Sequence, residues 1–146
     1  MSSLLESSDR QAIITRLRRL TPQHARRWGT MQSHQMVCHV SDALRVALGD
    51  LACRRRDSLL TRTLVKWLVI ELRAPAPRGK VKTAPEMLTT APATWDADLG
   101  GCETLIGRMA TELPHSVHPA FGPLSPREWG ILAYQHLDHH LRQFGV

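Results

Sequence analysis

The sequence predicts an all-α fold, a bundle of four main helices with extra short helical turns and a long proline-rich loop. Apolar residues recur at helical spacing in several segments, and residues that typically start or stop helices bound those segments. No segment alternates apolar and polar residues as a half-buried strand would. The 146 residues can bury a core of their own, so we expect a single domain over residues 1–146.

Three helices are predicted in the first half of the chain. The first has apolar residues at helical spacing from Ile13 to Leu20. The second begins near Ser33 and ends at Gly49, a residue type that commonly terminates helices. The third covers about residues 58–72 and is apolar on most sides near its end, so we expect it to be well buried.

A long loop and a fourth helix follow. Residues 74–93 contain four prolines, and an irregular stretch of this length inside a compact domain is often functional. The fourth helix is predicted over residues 94–111. Its glycines, Gly100, Gly101 and Gly107, would lower helix stability unless they allow a neighbouring helix to pack closely.

The final helix carries the most informative pattern. It starts with an N-cap serine, a proline at the first helical position and a glutamate at the third, the capping box Ser125-Pro126-Arg127-Glu128. His136 and His140 lie one turn apart and about 40° apart around the helix, in the middle of its apolar face. His139 falls at the edge of that face.

The second helix supplies one more inward histidine. His39 lies on its apolar side, whereas His34 lies on its polar side. Cys38 points about 100° away from His39, so we do not expect it to join the same ligand set. Imidazole is the commonest nitrogen ligand for zinc, nickel, copper and iron, so His39, His136 and His140 are predicted to bind a divalent metal. Ordinary core histidines, hydrogen-bonded to side chains or water, remain the alternative.

Four polar residues flank these candidate ligands in the two helices. Gln143 and His139 lie near His136 and His140, and Gln35 and Asp42 lie near His39. Such groups can orient imidazoles or a bound water. They can equally be polar residues at the boundary of the core.

Composition restricts the partners and the compartment. The net charge is +6, but the basic residues form scattered clusters, aromatic residues are sparse and no recognition motif appears, so nucleic acid is not an expected partner. Three cysteines without a Cys-x-x-Cys pair predict a reduced cytoplasmic protein. The N-terminus lacks the pattern of a secretory signal, and the most apolar stretch, residues 64–70, is too short to span a membrane.

Two stretches resemble the DinB/YfiT-like superfamily of helical bundles. Residues 36–44, Met-Val-Cys-His-Val-Ser-Asp-Ala-Leu, are similar to the histidine-bearing second helix of that superfamily. Residues 135–143, Gln-His-Leu-Asp-His-His-Leu-Arg-Gln, are similar to its closing His-x-x-His-His-Arg-Gly-Gln stretch. Leu141-Arg142-Gln143 replaces the usual Arg-Gly-Gln, which places the resemblance with a divergent branch labelled as a domain of unknown function.

The resemblance implies a fold, a cofactor and an activity. It implies a four-helix bundle in which three histidines, here His39, His136 and His140, hold a divalent metal, most often nickel or zinc. It further implies a homodimer and a metal-dependent thiol S-transferase or hydrolase that activates water or a low-molecular-weight thiol. A non-catalytic metal- or ligand-binding, dimerising bundle is the alternative, and no catalytic residue is assigned.

Two loop features remain. The basic segment Arg78–Lys82 lies in the long loop and can either hold an anionic substrate or be solvated. His115 and His118 lie in a proline-containing loop before the final helix, and we expect them to face solvent.

Overall fold

Helical residues make up more than half of the described chain, and most of them belong to five α-helices. The structure is a computed structural model that describes residues 2–74 and 83–146, and 57% of it is helical. The α-helices are α1 (Ser7–Leu17), α2 (Ser33–Leu48), α3 (Lys66–Ile70), α4 (Trp95–Thr111) and α5 (Pro126–Gln143). A π-helical turn (Thr61–Val65) leads into α3, and a 3-10 turn (Pro85–Leu88) lies between α3 and α4.

The ends of α2 and α5 form as their residue types predict. The side chain of Ser125 accepts a hydrogen bond from the backbone N–H of Glu128, and the Glu128 side chain completes the capping box at the start of α5. A second capping box joins Gln32 and Gln35 at the start of α2. Gly49 ends α2 with a φ of 83°, a left-handed conformation that glycine adopts without steric cost.

The helices pack around one apolar core. Helix α2 lies against α4 and α5, α1 lies against α5 and α4, and α3 lies against α5. The core is built from residues on the inward faces of these helices, including Ile13, Leu17, Met36, Val40, Ile106, Met109, Ile131, Leu137 and Leu141. This packing sets α2 beside α5, the two helices that carry the inward histidines.

The third helix is less buried than expected. Of the α3 residues only Ile70 is buried, and Trp67 retains 51% of its exposure. Leu60, just before the π-helical turn, and Leu64, within it, are also exposed. The prediction of a well-buried helix was wrong because a helix that is apolar on most sides looks the same in sequence whether its outer face is covered or not.

The glycines of α4 do not mediate close packing. Within the described residues, a Cβ atom added at Gly100, Gly101 or Gly107 would meet no heavy atom within 4 Å apart from the nearby backbone of α4 itself. These residues therefore reduce the intrinsic stability of α4 without a packing gain.

The segment before α5 contains a short β-ladder that the sequence did not predict. Val117–His118 (β1) pairs antiparallel with Gly122–Pro123 (β2). His118 does not face solvent as expected, because its ring stacks on Phe121 with centroids 4.7 Å apart and lies 5.1 Å from Trp129. Its Nδ1 accepts the N–H groups of Ala120 and Phe121, so a tight turn fixes the ring.

The basic segment Arg78–Lys82 lies outside the described residues. In the part of the chain that is described, no helix has both the length and the apolar character needed to cross a membrane.

Candidate metal centre

Two helices bring three imidazoles together. Helix α5 presents His136 and His140 one turn apart, and α2 presents His39, which is only 3% exposed. The three ring centroids lie 4.8–4.9 Å from one another, and each pair of rings is close to perpendicular. The Nε2 atom of His136 lies 3.0 Å from Nε2 of His39 and 3.1 Å from Nε2 of His140.

Two of these rings have their outer nitrogen fixed by a hydrogen-bond acceptor. Nδ1 of His39 lies 2.9 Å from the carbonyl oxygen of Met87 in the 3-10 turn. Nδ1 of His140 lies 2.8 Å from Oε1 of Gln143. A carbonyl oxygen only accepts, so in both rings the proton resides on Nδ1, and Nε2 presents a lone pair toward the cluster.

The third ring cannot supply enough hydrogen atoms. A neutral His136 carries at most one proton on Nε2, and that proton can bond to His39 or to His140 but not fully to both. At least one pair of nitrogens about 3 Å apart is then left with two facing lone pairs. Such an arrangement is repulsive unless a cation or an additional donor lies between the nitrogens.

Burial keeps these imidazoles neutral. Desolvation lowers the pKa of His140 to about 3 and lowers the pKa of His39. It also lowers the pKa of His136 to well below the ordinary histidine value, with a further contribution from the neighbouring His140. The site therefore consists of three uncharged nitrogen donors at neutral pH, the protonation state that metal ligation requires.

The donor set fits a small divalent ion. Zinc–imidazole bonds of about 2.0–2.1 Å separate two nitrogen ligands by about 3.3 Å in a tetrahedron and by about 2.9 Å in an octahedron. The observed spacings of 3.0 and 3.1 Å lie between these values. All three ligand atoms lie within 4.8 Å of one another, so small side-chain shifts suffice to place each one at bonding distance.

Gln143, one of the four flanking residues, contacts the candidate ligand His140 directly. Its Oε1 accepts from His140, and its Nε2 donates to the carbonyl oxygen of Trp28 at 2.8 Å, which fixes the orientation of the amide. Gly29 follows with a φ of 78°, and a Cβ atom there would lie 2.5 Å from Nε2 of Gln143. The loop before α2 therefore holds Gln143, and Gln143 holds the ring of His140.

The other three flanking residues have different positions. Gln35 belongs to the helix cap, where its Oε1 accepts the backbone N–H of Gln32. The ring of His139 lies edge-on to the rings of His140 and Trp28, at 5.2 and 5.8 Å between centroids. Neither contact orients a ligand nitrogen.

Asp42 contacts no ligand ring and instead binds the segment around Thr90. It is 1% exposed and accepts the N–H and hydroxyl of Thr90 at 3.0 and 2.6 Å. Arg45 donates to the same carboxylate at 2.8 Å. Asp42 thus anchors the segment that follows the 3-10 turn, and that turn provides the Met87 carbonyl facing His39.

A second group of residues whose side chains could hold a metal lies on the other flank of α2. His34, Cys38 and Asp98 place one ligand atom each within 4.8 Å of the others. Helical periodicity predicted that His34 and Cys38 point away from His39, and in the structure they do. Periodicity within one helix did not reveal that α4 brings Asp98 next to them. The one-turn spacing of His34 and Cys38 was the available signal.

Comparison with known proteins identifies a family but no characterised relative. The profile of a family described as a protein of unknown function, DUF1569, matches residues 2–145. Comparison with curated proteins and with solved structures gives no significant match. The match spans nearly the whole chain, and the protein therefore belongs to the DUF1569 family.

Proposed function

We propose that this protein binds one divalent metal ion, nickel or zinc, through Nε2 of His39, His136 and His140. The observation that carries this proposal is the shortage of hydrogen atoms among three buried nitrogens that lie about 3 Å apart. A metal ion accepts all three lone pairs at once and removes the repulsion between them.

We further assign the chain to the DinB-like type of four-helix bundle, as one domain. The order of the elements supports this assignment, because the ligands come from the second and the last helix, as the resemblance implies. The packing of α1, α2, α4 and α5 around one core is also what a bundle requires.

The function that follows is activation of water or of a low-molecular-weight thiol for attack on a small electrophile. A divalent ion held by three imidazoles supplies Lewis acidity and lowers the pKa of a bound water or thiol. The chain's own residues bind and orient: Met87 and Gln143 fix the rings of His39 and His140, and burial excludes bulk water from their inner nitrogens.

Metal or ligand binding without turnover is the alternative function. The carboxylates closest in sequence to the ligands are already engaged. Asp42 pairs with Arg45, and Asp138 pairs with Arg16 and Arg142. In the described part of the chain these carboxylates are committed to ion pairs and are not free to act as a general base, which favours this alternative.

Metal analysis of protein purified without a polyhistidine tag tests the proposal. We expect about one equivalent of nickel or zinc in the parent protein and a loss of that equivalent in His136→Ala. Metal present at 100 times its Kd stabilises the native state by about 2.7 kcal/mol, which corresponds to a rise in Tm of roughly 5–10 °C for a chain of this size.

The opposite results would overturn the site. They are less than about a tenth of an equivalent of metal together with no rise in Tm on adding either ion. Thiol-transfer and hydrolysis assays on the loaded protein then separate enzyme from binding protein, since only an activity abolished by His136→Ala supports the enzyme.

A homodimer in a reducing cytoplasm completes the proposal. The three cysteines are all free. Leu60, Leu64 and Trp67, here called the α3 apolar surface, recur one helical turn apart and are each more than half exposed. A second copy would bring the same apolar residues to a twofold interface and cover them.

Light scattering after size-exclusion chromatography tests the dimer. We expect a dimer for the parent protein and a monomer for Leu64→Glu. Leu113→Glu is the matched control, because Leu113 is also an exposed leucine but lies outside the α3 apolar surface. A monomeric parent, or a dimer that Leu64→Glu leaves intact, would contradict this interface.

A further inference from the structure

A second cluster of ligand-type side chains joins α2 to α4. His34 and Cys38 lie one turn apart on α2, and Asp98 lies on α4. Nε2 of His34 is 2.7 Å from Oδ2 of Asp98, and the ligand atom of Cys38 lies within 4.8 Å of both partners. The helices, and not a flexible loop, therefore fix all three positions.

The orientation of His34 and Asp98 is set by neighbours outside the cluster. The ring of Trp95 lies edge-on to that of His34 at 5.3 Å between centroids. The backbone N–H of Ala93 donates to Asp98 at 2.9 Å. Supported ligands of this kind are characteristic of metal sites, where a second layer of contacts holds the first.

The ion pair between His34 and Asp98 does not account for the position of Cys38 beside them. It is 3% exposed, and its thiol makes no hydrogen bond to any residue in the described parts of the chain. A cavity of about 60 Å³ lies beside it, with Asp98, Arg45 and Thr90 among its other lining residues. The cavity is large enough for a water molecule bound to an ion in the cluster, since one water needs only about 10–15 Å³ of such space.

The chemistry of the donors selects the ion. A thiolate, an imidazole and a carboxylate together suit zinc and its spectroscopic substitute cobalt, whereas magnesium and calcium prefer oxygen ligands alone. Three protein ligands leave one position open toward the cavity.

We propose that His34, Cys38 and Asp98 form a second zinc-type site, separate from the three-histidine centre. On binding, the Cys38 thiol would form an S–metal bond and lose its proton to solvent. The proton that Nε2 of His34 shares with Asp98 would move through solvent to Nδ1 of the same ring, which frees both Nε2 and the carboxylate of Asp98 to bond the ion. The site links α2 to α4, whereas the three-histidine centre links α2 to α5.

Cobalt titration of the metal-free, untagged full-length protein under anaerobic conditions tests this proposal. A thiolate ligand gives a sulfur-to-cobalt charge-transfer band in the near ultraviolet, which imidazole ligands do not give. We expect two equivalents of cobalt to bind and one of them to produce this band. Cys38→Ser abolishes the band and one equivalent, and Asp98→Asn weakens that equivalent at least about tenfold.

Two controls separate the sites. Cys53→Ser keeps the band and both equivalents, because Cys53 lies outside both clusters. His136→Ala removes the other equivalent and keeps the band, so failure of the three-histidine centre is seen independently. Absence of the band in the parent protein, or its persistence in Cys38→Ser, would overturn the second site even where a variant folds poorly.

Discussion

Replacing Gln143 with leucine removes two buried hydrogen bonds while keeping nearly the same side-chain volume. Gln143 is 5% exposed, accepts from His140 at 2.8 Å and donates to Trp28 O at 2.8 Å. In Gln143→Leu the Nδ1–H of His140 and the carbonyl of Trp28 lose their partners. Each buried polar group left in this way costs about 1–3 kcal/mol, so for two groups we expect the free energy of unfolding to fall by roughly 2–6 kcal/mol.

The effect on metal binding is separate from this loss of stability. Removing the partner that orients a ligating histidine typically weakens metal affinity 10–100-fold, or about 1.4–2.7 kcal/mol. Gln143→Glu is the matched control. It keeps an acceptor for His140 but faces Trp28 O with a second acceptor, so it should retain most of the zinc affinity while losing stability.

The assay is competition for zinc against a chromophoric chelator, alongside urea unfolding of the metal-free protein. Comparison of the two variants distinguishes an orienting role from a structural one. Zinc affinity in a folded Gln143→Leu equal to that of the parent protein would refute the reasoning, and so would an equal loss of affinity in both variants.

Three further predictions concern the fold. Asp42→Asn weakens a buried carboxylate network that ties α2 to Thr90, so urea unfolding should show a loss of about 2–3 kcal/mol, and a change below about 0.5 kcal/mol would contradict that network. Gly107→Ala should raise the unfolding free energy by about 0.5–1 kcal/mol, because an added Cβ meets no atom of another described segment within 4 Å. A lower Tm in calorimetry would count against this. Burial lowers the pKa of His118 from 6.5 to about 4, so the unfolded chain binds a proton at this residue at a higher pH than the folded chain does. As the pH falls from 7 to 5, this group alone should therefore reduce the unfolding free energy of the metal-free protein by about 2 kcal/mol. An NMR titration that puts His118 near 6.5 would exclude that contribution.

Local signals predicted the parts of the fold that depend on local physics. The capping box at Ser125 and the stop at Gly49 formed as expected, because each needs only a few residues in sequence order. The inward direction of His39, His136 and His140 followed from helical periodicity, which fixes the angle of a side chain around its own helix.

The features that could not be predicted from the sequence depend on contacts between separate helices and loops. The exposure of Trp67 and the packing of the His118 ring against Trp129 depend on neighbours from other segments. Asp42 lay near His39 in angle, but its carboxylate turned to Thr90, a contact 48 residues away along the chain. The cluster of His34, Cys38 and Asp98 required the pairing of α2 with α4, which no periodicity in a single helix reveals.

The wide separation of the three-histidine ligands has a consequence for the order of events during biosynthesis. His39 and His136 lie 97 positions apart in the sequence, and neither α2 nor α5 alone supplies all three nitrogens of the cluster. If the proposed ion binds there, a chain under synthesis can engage all three imidazoles only after α5 has been made and has packed against α2. Binding of the proposed ion would then depend on α2 and α5 having packed against each other.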